Sequence, residues 1–81
     1  MSVLLLENKK VVEVFKTDVE SFAKAQFVTR NLKELIPHAK INFDLDDCDH
    51  ILRIEALRSE IEVDSIVHFA KKMNIQIEVL L

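Results

Sequence analysis

The stretch Lys40 to Glu55, KINFDLDDCDHILRIE, constrains the fold more than any other. Ile41, Phe43 and Leu45 alternate with Asn42 and Asp44, and Leu52 and Ile54 alternate with Arg53 and Glu55. A period of two with one apolar side is the pattern of a strand with a single core face. Asp46-Asp47-Cys48-Asp49 lies between the two runs and supplies turn formers. Two strands joined by so short an acidic turn read as an antiparallel hairpin, around which the rest of the chain is arranged.

Before the hairpin, Val11 to Lys16 (VVEVFK) reads as a half-buried strand, with Val12 and Val14 alternating with Glu13. Thr17-x-x-Glu20 is a capping-box pattern, predicting a helix from about Asp18 to Leu35. At ~100° per residue, Phe22, Ala25, Val28, Leu32, Leu35 and Ile36 share one face, and Phe27 falls on the far side. Pro37 disfavours helical geometry at Ile36 and ends the run.

After the hairpin, Leu57 to Glu62 is a polar connection and a second helix spans about Val63 to Met73. Its apolar face is Val63, Ile66, Val67, Ala70 and Met73; Ser59-x-x-Glu62 offers a second possible capping box. Asp64 in its first turn and Lys71 and Lys72 in its last oppose the helix dipole. The chain contains no glycine, so Asn74 is the expected residue at the positive-φ position that follows. Ile75, Ile77 and Val79 then alternate with Gln76 and Glu78 as a last strand.

The order β-α-β-β-α-β predicts an α+β chain, a ferredoxin-like βαββαβ two-layer sandwich with antiparallel sheet order 4-1-3-2. Residues 11–81 form that single domain, preceded by an extension of residues 1–10. Its short apolar run, Val3 to Leu6, reads as an extra strand-like segment at an edge or interface. On the open sheet face, Val11, Phe15, Ile51 and Leu80 are expected among Glu13, Arg53, Glu55 and Glu78. Such a half-apolar face favours contact with a second subunit.

The missing glycine also bears on chemistry. A Walker loop, a dinucleotide fingerprint and a nucleophile elbow all need it, and none is present. The net charge of −3, with positive and negative residues interleaved, lacks the basic face of a nucleic-acid binder. No apolar run approaches the roughly 20 residues of a membrane span. The start lacks the basic region of a signal peptide, and the lone Cys48 cannot form an internal disulfide; both point to a cytoplasmic location. A base-stacking RNA-recognition surface lacks its aromatics, because the third strand shows Ile51, Arg53 and Glu55 and the chain has no tyrosine or tryptophan.

The segments VEVFKTDV, LKELIPHAKINFDL, ILRIEA and IVHFAKKMNIQIEV together resemble the heavy-metal-associated domain of copper chaperones and metal-pumping ATPases. The likeness spans Val11 to Leu80, and Asn74 stands where that family often has glycine. The resemblance implies the fold named above and a Cys-x-x-Cys metal loop where the first strand meets the first helix. Those thiol positions fall near Ser21 and Lys24, or Phe22 and Ala25, and neither register holds a sulfur. A cuprous ion wants soft thiolate ligands, so the metallochaperone activity does not carry over.

In this topology the first strand-helix loop, the central turn and the loop before the last strand share one end of the sheet. Cys48 and His50, with Asp47 and Asp49, are the candidate ligands there for zinc or another divalent cation. His38 and His68 read as solvated surface residues. No nucleophile-base-acid arrangement is visible, so the chain reads as non-enzymatic. The expected mode of action is contact with a protein partner or homodimerisation, with no resident cofactor and divalent-metal binding as the alternative.

Overall fold

The computed structural model describes residues 9–80. The segment Val3 to Leu6 lies outside the described residues. The elements are β1 (Lys10–Thr17), α1 (Phe22–Leu35), β2 (Lys40–Asp44), β3 (Ile51–Leu57), a single 3₁₀ turn (Arg58–Glu60), α2 (Val63–Lys72) and β4 (Ile77–Val79). The four strands form one antiparallel sheet in the order β2-β3-β1-β4, which read from the other edge is the expected 4-1-3-2. Among the described residues β2 and β4 are therefore the edge strands.

The register fixes which residues share a face. Phe15 lies opposite Leu52, Glu13 opposite Ile54 and Val11 opposite Ala56, while Ile41 and Phe43 of β2 lie opposite Ile54 and Leu52. Phe15, Leu52, Ile54 and Ala56 are buried in one cluster with Leu32 and Ile36 of the α1 region and Ile66 of α2. Both helices thus close over the same side of the sheet. Val19, Ala25, Val28, Ala70 and Ile75 form a second cluster, and Phe43, Phe69 and Ile77 pack against both.

This corrects the expected open face. Val11, Glu13 and Phe15 belong to the helix side, and Phe15 is fully buried. The open face carries Val12, Val14 and Lys16 of β1, with Ile51, Arg53 and Glu55 opposite or beside them and Glu78 across from Lys16. Both parities of VVEVFK are apolar enough to face a core, and the bulk of Phe15 decides between them: a phenyl ring buries far more area than a valine side chain.

The start of α1 also differs from expectation. The N-cap is Ser21, whose Oγ accepts from the Lys24 amide at 3.1 Å, and the helix begins at Phe22 rather than Asp18. Thr17 and Asp18, at the start of the predicted helix, are engaged elsewhere. Thr17 is still in β1, opposite Ile77, and Asp18 exchanges contacts with the last strand: its amide donates to Gln76 O at 3.2 Å, and its Oδ1 accepts from the Gln76 amide at 3.0 Å. Tertiary pairing has overridden a local cap.

Phe22 and Leu35 were expected in the core and are 71% and 50% exposed. At 100° per residue they sit about 87° (Phe22) and about 53° (Leu35) from the centre of the Ala25-Val28-Leu32 stripe, on its opposite borders. Phe27 is exposed, as expected of the far side. α1 ends with the Ile36 amide donating to Leu32 O, and Lys33 Nζ reaches forward to Ala39 O at 2.8 Å.

α2 ends as the asparagine predicts. Asn74 has φ 59, its amide donates to Lys71 O, and the Ile75 amide donates to Ala70 O at 2.8 Å. These are the paired bonds of a Schellman motif, and they satisfy carbonyls the helix would otherwise leave open. At the start of α2, Glu62 is the N-cap residue without a side-chain cap, so Ser59-x-x-Glu62 is not a capping box. Among the described residues no helix is long and apolar enough to cross a membrane.

Candidate functional site

The three connections expected at one end of the sheet do meet there. Thr17 joins two of them: its amide donates to Asp49 O at 3.1 Å and its Oγ1 donates to His50 O at 2.7 Å. The same Oγ1 accepts from the Val19 amide at 3.2 Å. The Asp18–Gln76 bonds bring in the third connection. The central turn is closed by the His50 amide donating to Asp47 O at 3.0 Å, and by the Asp49 amide donating to Asp47 Oδ1 at 2.8 Å.

Within this turn the ligand atoms of Asp47, Cys48 and Asp49 lie within 4.8 Å of one another. His50 is not part of that group. Its backbone has φ 46, which breaks the strand alternation that would set residues 48 and 50 on one side. Cys48 is exposed at the tip. Asp47 and Asp49 already have partners: Asp47 accepts the Asp49 amide, and Asp49 faces Lys16 Nζ at 3.7 Å in a solvated ion pair. One thiol and two carboxylates make a mixed soft and hard donor set that suits a borderline divalent cation better than a cuprous ion.

The positions to which the resemblance assigns a copper-binding thiol pair hold different chemistry. Ser21 Oγ is committed to capping α1, the Phe22 ring is exposed, and Ala25 is buried in the second cluster. The residues present do not fit a cuprous ion.

A different feature lies on the flank of the molecule. A groove of about 380 Å³ runs between α1 and the edge strand β2. Phe22, Gln26, Thr29 and Arg30 form its helical wall, and Ile41, Phe43 and Leu45 its floor and far wall. Residues 22, 26, 29 and 30 share a helix side by their spacing of four, three and one. Sequence reasoning placed Phe22 in the core and so missed this groove. The signal that locates it is the strand order, which leaves the second strand on an edge beside the first helix. His38 and His68 are exposed, as expected.

No family model, curated protein or solved structure matches the chain.

Proposed function

We propose that the chain is a non-enzymatic module of the ferredoxin-like, heavy-metal-associated-domain type that lacks the thiol metal site and acts by protein contact, through self-association. The observation that carries this is the exposed Phe22, 71% accessible, set over an apolar groove beside a strand edge that no other strand among the described residues pairs with. Single exposed apolar residues are ordinary. A phenylalanine at the mouth of a groove lined by Ile41, Phe43 and Leu45 is a surface that gains when covered.

Sedimentation equilibrium over a wide concentration range tests the reading. The expected result is a weight-average mass that rises with concentration, and a rise shifted to at least about tenfold higher concentration in Phe22→Asp, because a charge would be buried at the contact. A strictly monomeric chain at every concentration removes self-association.

A second reading rests on the convergence of Asp47, Cys48 and Asp49. Under it, cobalt(II) binds saturably with a thiolate charge-transfer band, and Cys48→Ser loses the band. Titration without saturation in the unmodified chain removes that reading.

A further inference from the structure

The two sheet edges are not equivalent. β4 is three residues long, whereas β2 offers five, Lys40-Ile41-Asn42-Phe43-Asp44, with no proline among them. Short strands blunt an edge; a longer unbroken one invites pairing. The direction of its free groups follows from the register. The Arg58 amide donates to Lys9 O at 2.8 Å, which makes that pair a hydrogen-bonded one in the β1–β3 ladder. Bonded and non-bonded pairs alternate along an antiparallel ladder. Leu52, Ile54 and Ala56 therefore turn their backbone groups to β1, and Ile51, Arg53 and Glu55 turn theirs to β2. On β2, Lys40, Asn42 and Asp44 are bonded to β3, and Ile41 and Phe43 present their amides and carbonyls outward.

The sequence of this edge is complementary to itself when reversed about Asn42. Lys40 meets Asp44, Ile41 meets Phe43, and Asn42 meets Asn42. We propose that β2 pairs antiparallel with β2 of a second copy, about a two-fold axis at Asn42, joining the two sheets into one. This rests on the self-association reading and adds the surface, the orientation and the register.

The register satisfies each requirement of the edge. The Ile41 amide donates to the Phe43 carbonyl of the second copy and the Phe43 amide to its Ile41 carbonyl, and the symmetry repeats both bonds. Ile41 and Phe43 lie on the helix side of the sheet, so the second copy carries the same two side chains into the groove under Phe22. Lys40 and Asp44 lie on the opposite side, where each finds the other's charge across the axis. One Asp44 oxygen already accepts from the Asp46 amide at 3.3 Å, and the carboxylate retains acceptor capacity for the lysine. An isologous contact of this kind closes at a dimer and leaves β2 no longer available to further copies.

The test uses the full chain with Cys48→Ser to remove the native thiol. Asn42→Cys sits at a non-hydrogen-bonded pair on the axis, where Cα atoms lie about 4.5 Å apart, inside the span of about 4.4–6.8 Å a disulfide bridges. Under mild oxidation it is expected to form a covalent dimer in high yield, while Glu78→Cys on the other edge strand stays largely unlinked. Lys40→Glu alone should weaken association roughly tenfold, because the two-fold places like charges opposite one another twice. Lys40→Glu with Asp44→Lys should restore most of it, with circular dichroism checking that the fold persists. If the chain self-associates while Asn42→Cys remains unlinked, or links no better than Glu78→Cys, the edge assignment is overturned and self-association stands. If the double charge swap associates no better than Lys40→Glu, the register is wrong. If the chain is monomeric throughout, the groove serves a different protein or none, and both readings fall.

Discussion

Replacing Phe15 with alanine is expected to remove about 3–5 kcal/mol of stability, while Val12→Ala on the same strand changes it by less than about 1 kcal/mol. Phe15 is fully buried between β3 and both helices, and Val12 is 53% exposed on the far face. The truncation deletes most of an aromatic side chain and leaves a void that the packed neighbours Leu32, Leu52, Ile54 and Ile66 close only in part. A domain of this size holds roughly 4–12 kcal/mol in total, so the loss in Phe15→Ala takes a large share of it. Urea denaturation of the two variants reads the difference directly. Equal losses, or a larger loss for Val12→Ala, would mean that β1 presents its other face to the helices.

The second large effect is expected at Thr17. Thr17→Val keeps the shape of the side chain and removes the hydroxyl, which is 2.7 Å from His50 O and 3.2 Å from the Val19 amide. Thr17 is only 6% exposed; its bond with the Val19 amide is buried and that to His50 O part-buried. Each buried group left without a partner costs about 1–3 kcal/mol, and because the bond to His50 O is only part-buried the expected loss is about 2–4 kcal/mol, below the full sum. Thr17→Ser, which keeps the hydroxyl, is expected to recover most of it. Amide exchange adds a local readout: the Val19 amide should exchange much faster in Thr17→Val, beyond what the global loss explains. A Thr17→Val protein as stable as the parent, with Val19 still protected, would show that the hydroxyl does not hold this end together.

These two sites also show where the fold was legible in the amino-acid sequence. β3 was readable because only one of its parities, Leu52, Ile54 and Ala56, is wholly apolar. β1 was not, because Val12 and Val14 compete with Val11 and Phe15, and a period of two carries no sign. The end of α2 was readable from Asn74, since a local backbone need is met by a local residue. The start of α1 was not, because Thr17 stays in β1 opposite Ile77, with its hydroxyl accepting from the Val19 amide and donating to His50 O thirty-three positions away. The candidate site divides the same way. Asp47, Cys48 and Asp49 come together through the turn itself, as a run of neighbours would. His50 stands apart because its left-handed backbone ends the alternation, and nothing in a Cys-x-His spacing announces that.

That left-handed backbone occurs at His50 and at Asn74, in a chain with no glycine to ease either. A side chain in that conformation costs about 1–2 kcal/mol, less for asparagine, whose short amide bonds locally. The expense has a counterweight in the denatured ensemble. Every glycine withheld narrows the range of shapes open to the unfolded polypeptide, an advantage of about 0.4–1 kcal/mol at each position where the native angles suit a bulkier residue. Eighty-one residues without one such swivel begin from an unusually stiff coil. Two slightly contorted corners are a small forfeit beside that thermodynamic head start, which is how so small a fold tolerates them.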